Sequence, residues 1–208
     1  MQKITLLLTL LFISVMFISC SKETEETMLL NAKAKLDEAK KFETDNKLED
    51  AKRTYAESID LYKTVLKEYP SSPKAPEVYR IIAELYDNAL MDYDNAIRFY
   101  KELVDKYPDT KEAKFAMFMM GYIYDDKVKN KELAKEFYRK FLDKYPQDTD
   151  PNEKLSESVR FMLKMMEENK TIEDIIKSVP QDTTKKTEVD KNVKLKRLDD
   201  VDTSKNKK

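Results

Sequence analysis

Histidine and tryptophan are absent from the 208 residues, glycine occurs once (Gly121) and cysteine once (Cys20). Each shortage excludes a chemistry. Without histidine there is no imidazole base, and so no Ser-His or Cys-His nucleophile pair. One cysteine cannot supply the thiolate sets that hold structural zinc or iron–sulfur clusters. One glycine rules out both the phosphate-cradling loop and the dinucleotide fingerprint, which need several. Such a chain suits long solvated helices and is poorly equipped for tight turns. An excess of one charge is missing too: 39 Lys and Arg face 40 Asp and Glu, a net charge of −1. Nothing electrostatic therefore points to nucleic acid. The carboxylates are plentiful but interleaved with lysines, as on solvated helix faces. No cofactor, no metal and no enzymatic activity is expected.

The first twenty residues have their own character. Lys3 gives a small positive start, Ile4 to Ile18 an apolar run, and Cys20 follows at once. The run is short of the roughly 20 apolar residues that span a bilayer, and it has the length of a secretory signal. An only cysteine in that place resembles the bacterial lipobox, in which a small residue (here Ser19) precedes a cysteine that is diacylated and becomes the mature N-terminus. Phe17 stands where that pattern usually has leucine. The resemblance implies a signal peptide over 1–19 and an acylated Cys20. With the polar tether 21–27, Cys20 forms the segment 20–27, which attaches the chain to a membrane. By resemblance to the sorting rule of enteric bacteria, Ser21 rather than aspartate after the cysteine favours the periplasmic face of the outer membrane. The seven tether residues reach at most about 23 Å.

Beyond the tether the chain repeats itself. Tyr69-Pro70, Tyr107-Pro108 and Tyr145-Pro146 are spaced 38 residues apart, twice in succession. Within the period Ala83 matches Gly121, Tyr86 matches Tyr124, Ala96 matches Ala134 and Tyr100 matches Tyr138. Amphipathic helical spacing fills the intervals, and a fixed period of this size with one helical hairpin per unit marks a helical solenoid. The order of small and aromatic residues closing on proline resembles the tetratricopeptide repeat (TPR). The usual unit has about 34 residues, so this one is four longer. One extra residue is expected in the turn between the helices and three before the next unit. Lengthened units ending in Tyr-Pro are similar to those of bacterial envelope TPR lipoproteins, among them β-barrel assembly and Tol–Pal-associated members.

Read in order, 28–179 is expected to hold an all-α, right-handed solenoid of about three TPR hairpins with a capping helix pair at its C-terminal end. The first hairpin is Met28 to Glu43 and Leu48 to Tyr69. Its second helix carries seven residues more than its counterparts, two full turns. The extra length makes either a private surface or a cover for the end of the solenoid. Ser72 with Pro73 predicts the start of unit two, Asp109 with Glu112 the start of unit three, and Asn152 to Glu168 the next helix. Thr171 and Asp174 predict a short last helix near Ser178. The tail 180–208 has no apolar period and the composition of a disordered segment.

Phe115 to Tyr124 is the least polar stretch of the repeats, ten residues without a charge. A helix apolar all round needs neighbours on most sides. In the TPR fold the first helix of each unit lines a concave groove. Carried over by repeat position, that groove falls on Glu77, Arg80, Glu84 and Asp87 in unit two, and on Phe115, Phe118, Tyr122 and Asp125 in unit three. Phe115, Phe118 and Tyr122 share one helical face, distinct from the face of Met117, Met120, Gly121 and Tyr124 that the repeat assigns to the core. The three rings either line the groove or pack against the next helix near Val159, Met162 and Leu163. The resemblance implies a scaffold or adaptor that holds a protein or an extended peptide in the cell envelope. A subunit of outer-membrane β-barrel assembly is a narrower alternative. A solute-binding lipoprotein, from another class, would need glycines and strands that the chain lacks.

Overall fold

Repeats spaced by 38 residues become pairs of helices because each period holds two amphipathic stretches that cannot bury their faces alone. The computed structural model describes residues 23–150 and 152–168. In these residues α1 (Glu25–Thr44) pairs with α2 (Leu48–Glu68), α3 (Ala75–Glu84) with α4 (Tyr93–Lys106), and α5 (Lys111–Tyr122) with α6 (Lys131–Lys144). A seventh helix, α7 (Leu155–Glu167), follows, and no strand occurs among the described residues. Cys20 and the signal segment, the helix expected near 171–178 and the tail 180–208 lie outside them. No helix among the described residues is long and apolar enough to cross a membrane.

Each helix packs on the next, and from unit two onward the first helices also meet: α3 lies on α5, and α5 on α7, while α1 does not reach α3. The second helices α4 and α6 do not approach one another. That asymmetry places the first helices on the inner side of an all-α solenoid. Two apolar clusters form its interior. The larger joins α1 to α5 around Ile59, Tyr62, Ile82, Tyr100, Leu103 and Met120. The smaller joins α6 and α7 around Tyr138, Phe141 and Val159. Met117 and Phe118 of α5 pack against both, which is what a helix without a polar face was expected to do. Gly121 is buried at the crossing with α6, where a Cβ would stand 2.5 Å from Cε1 of Tyr138.

The longer first unit lengthens both of its helices. Helix α1 has 20 residues and α2 has 21, against 14 for α4 and for α6. The two lengthened helices pack along each other, with the Ser58 hydroxyl donating to the carbonyl of Ala32 at 2.8 Å. Helix α1 also begins earlier than expected. Thr24 is its cap, accepting from the Thr27 N–H at 3.2 Å, so Glu25 to Thr27 belong to the helix and not to a tether.

Three other starts shift for local reasons. Ser72 does not cap α3; its hydroxyl oxygen accepts from Lys74 N–H at 3.0 Å in the preceding turn, and Pro76 sits in the first helical turn. Thr110, not Asp109, caps α5 through Ala113 N–H at 3.2 Å. Helix α7 starts at Leu155 rather than Asn152, because Asp148 reaches forward to accept from Ser156 N–H at 3.0 Å.

The extra residue of units two and three does not lie in the turn. It widens the end of the first helix into a π turn, Leu85–Ala89 and again Ile123–Lys127. There the N–H of Leu90 donates to Leu85 and that of Val128 to Ile123, at 3.1 and 2.9 Å. Unit one has no such turn. Ala39 precedes Ala83 by 44 residues while Ala51 precedes Ala96 by 45, so unit one is one residue short at this place. Left-handed turns are made despite the shortage of glycine. Asn46, Met91 and Lys129 take them at φ 57, 55 and 59°, a conformation that Met and Lys enter only under tertiary constraint.

The recurrent Tyr-Pro has a structural role. The hydroxyl of Tyr107 donates to the carbonyl of Pro70, and that of Tyr145 to the carbonyl of Pro108, at 3.1 and 3.3 Å. Arg160 continues the series on Pro146 at 2.7 Å, and Tyr69 begins it on the carbonyl of Glu23, also at 2.7 Å. Unit two, unit three and α7 are each clasped in this way to the unit before, on the carbonyl of its closing proline.

Candidate functional site

On the inner side, the eight residues expected to line a groove fall into two groups joined at one end. Glu77 is exposed, while Arg80 and Glu84, one turn apart on α3, are half-buried and ion-paired. Burial pushes the Glu84 carboxyl up, against the pull of Arg80, and Asp87 and Glu77 reinforce the rise. Asp87 lies in the first π turn, 3% exposed, and its Oδ1 has no hydrogen-bond partner among the described residues. Burial raises its carboxyl too, with Lys127 opposing and Asp126 adding to the shift.

The second group is a ladder of rings. Phe115 and Phe118 have centroids 6.5 Å apart, and Phe118 stacks on Tyr122 at 6.2 Å. Edge-on contact between Tyr100 and Phe115 at 6.5 Å ties the ladder to α4. All three ladder rings are half-buried. The two alternatives for them therefore merge: Phe118 packs against the cluster containing Val159, Met162 and Leu163, yet the face stays partly open. Asp125, in the second π turn, is half-buried; burial pushes its carboxyl up, Lys129 and Lys131 oppose, and Asp126 adds. The face assigned to the core is also less sharply divided than expected. Met120 and Gly121 are buried, Met117 and Tyr124 only half so, and Ala116, Met119 and Ile123 complete the buried set.

The groups meet where the Tyr122 hydroxyl, raised by burial and by Asp126, also feels Asp87. It donates to Asp126 at 3.3 Å, and Asp126 in turn pairs with Lys127 at 3.0 Å and Lys129 at 3.4 Å. Asp126 and Lys127 were not foreseen; their place beside Asp125, in the residues that the π turn re-aims, was the available signal. Tyr100 was assigned to the core and is fully buried, but its hydroxyl has no partner among the described residues. Burial holds that hydroxyl far above its ordinary value, and Glu84 and Asp87 push the same way. No group of three or more metal-ligating side chains is assembled among the described residues.

Truncating the ladder tests how far it is packing. Phe→Ala in a closed core costs about 3–5 kcal/mol. For half-buried rings the expected loss in the Phe118→Ala, Tyr122→Ala variant is about 2–3 kcal/mol. Denaturant unfolding reads it, and a loss beyond about 5 kcal/mol would mean that the ladder is interior rather than face.

Residues 77–110 and 115–148 match the tetratricopeptide repeat family. Each match begins 38 residues from the other, on α3 and on α5, and each closes just past its Tyr-Pro. Unit one falls outside the matches, as its two-turn lengthening would cause. No curated protein matches the chain. Two tetratricopeptide repeats thus make up α3 to α6, and repeats of this kind are built to hold a protein partner.

Proposed function

We propose that this chain is a membrane-tethered adaptor of the bacterial cell envelope, which holds a protein partner through an extended segment on its inner face. The observation that carries the holding role is the half-buried ladder Phe115, Phe118 and Tyr122, flanked by charge on the first helices of two matched repeats. Aromatic anchors beside polar groups are the usual make-up of a binding hot spot. The tethering role rests on the sequence: a short apolar run ending at the only cysteine. Helix α1 starts at Glu25 and the Glu23 carbonyl is already bonded to Tyr69. An acyl anchor on Cys20 would therefore hold the solenoid within roughly 10 Å of chain.

Two measurements test the proposal. Mass spectrometry of the mature N-terminal peptide should find Cys20 at its start carrying acyl chains; an unmodified Cys20, or a start elsewhere, removes the tether. Crosslinking in intact cells should recover a defined envelope partner with the parent chain. The Phe118→Ala, Tyr122→Ala variant, present at equal level and folded, should lose it. Retention of that partner would put the binding surface elsewhere.

A further inference from the structure

The three units treat one acid–tyrosine pair differently. In unit one the hydroxyl of Tyr55 donates to Glu43 at 2.6 Å, closing the pair. Tyr100 holds the place of Tyr55 in unit two, and Asp87 the place of Glu43. The acid is shorter by one methylene there and is carried in a π turn. No hydrogen bond joins them: Oδ1 of Asp87 and the hydroxyl of Tyr100 are both enclosed and without partners among the described residues. Unit three repeats the tyrosine half of this: the hydroxyl of Tyr138 is likewise enclosed and without a partner among the described residues, while Asp125, in the place of Asp87, is half-buried. Unpaired buried polar groups of this kind are costly and rare in native folds. The tyrosine hydroxyl recurs at repeat-related positions, and in unit two it goes with an unpartnered acid at the end of a first helix, which points to use.

The charges around them define what would fit. Arg80 is committed to Glu84, and Lys127 to Asp126, which Lys129 also approaches. Asp87 and Asp125 are left over, with only more distant help from Lys127 on the first and from Lys129 and Lys131 on the second. The missing element is a cation, and the ring ladder lies beside it. Described residues assemble no metal-ligand set, so an ammonium or guanidinium on an organic partner suits the site.

We propose that the face formed by α3, α5 and their π turns binds an extended peptide bearing lysine or arginine, the cation lying against Asp87 and Asp125 and apolar side chains over Phe118 and Tyr122. This rests on the reading of the chain as a holder of extended segments, and it specifies the segment. A cation brought to under-compensated carboxylates in a partly dry site makes charge-assisted hydrogen bonds, which are among the stronger ones. It also supplies selection: an acidic segment would meet uncompensated like charge and be rejected.

The test selects random decapeptides displayed on phage against the full chain, purified in detergent and immobilised. Enrichment of lysine or arginine next to apolar residues is expected. A synthetic copy of the selected peptide should bind about 10- to 100-fold more weakly to Asp87→Asn. Binding to the parent should weaken as salt is raised. Asp87→Asn removes a desolvated charge while keeping shape, so its melting temperature should equal or exceed the parent's. A carboxylate serving only the fold would show the reverse. Selected peptides that lack basic residues yet depend on Phe118 would overturn the cation site and leave the adaptor reading standing. Basic peptides whose affinity ignores Asp87→Asn and Asp125→Asn would mean diffuse surface attraction and overturn the site. A melting temperature clearly below the parent's for Asp87→Asn would do so as well. Absence of any enriched peptide would overturn both readings.

Discussion

Replacing Lys114 by methionine is expected to cost about 3 kcal/mol, the low end of the range for opening a buried ion pair. The side chain is 10% exposed, and its ammonium lies 2.8 Å from Asp148 and 2.6 Å from Glu153. It also lies 5.6 Å from the centre of the Tyr145 ring. One cation on α5 therefore fixes the segment that leads into α7. Asp148 in turn caps α7 through the N–H and hydroxyl of Ser156, at 3.0 and 2.9 Å. Methionine keeps most of the apolar stem and removes the charge, leaving Asp148 and Glu153 facing one another unneutralised. The estimate stays at the low end because Glu153 keeps 35% of its side-chain surface in solvent.

Denaturant unfolding measures the loss, and amide exchange should rise first in α7. Equal midpoints for variant and parent would show that the cluster is not holding α7. The cluster also sets an acid limit. Burial pushes the Asp148 carboxyl up, but the bonds from Lys114 and Ser156 outweigh it and hold the carboxyl below its ordinary value. A depressed folded value contributes stability that is present at neutral pH and is lost as pH falls from about 5 through the lowered value. The methionine variant, with less depression, should lose less stability over that acid interval than the parent does.

Gly121→Leu should be at least as damaging, about 3 kcal/mol or more, at or above the upper end of overpacking costs. Even a methyl group there meets the Tyr138 ring at 2.5 and 2.6 Å. Tyr138 is fully buried, between Ala134 and Phe141 of α6, and has no solvent into which to retreat. A helix interior otherwise favours alanine over glycine by about 1 kcal/mol, so Gly121→Ala should show partial cancellation and Gly121→Leu none. The ring is the cause, and that can be checked. In a double-mutant cycle Tyr138→Ala should recover much of the loss caused by Gly121→Leu. Additive losses would place the strain elsewhere.

The repeat pattern made the fold readable because it states one packing rule several times over. Ala83, Gly121, Ala96 and Ala134 are small for the same reason, close helix crossings, and all four are buried. Helix starts were less legible where two capping residues compete. Thr110 next to Asp109 won through a local bond to Ala113 N–H, whereas Asp148 ahead of Asp150 is held by a tertiary contact with Lys114 that no local rule contains. The site was half legible. Repeat position brought out the ring ladder and the α3 charges. A one-residue surplus, by contrast, reads the same in sequence whether it sits in a turn or widens a helix. The π turn decides which way Asp87 and Asp125 are carried, so the unpaired tyrosine–acid arrangement could not be seen beforehand. Asn46, Met91 and Lys129 show the related blind spot: a left-handed residue need not be glycine when the helices on either side dictate the turn.

The Tyr-Pro clasps have a mechanical meaning for a chain pulled at its N-terminus. Traction arriving at Glu23 passes directly to the Tyr69 hydroxyl, at the far end of α2, as well as into α1. From Pro70 the next clasp hands it to Tyr107, and from Pro108 to Tyr145. Force entering there would be shared along the edge of the array, unit by unit, instead of falling on the first helix alone. Under the proposed tether at Cys20, clasps of this kind would oppose unravelling from the anchored end while a partner is held along the inner face.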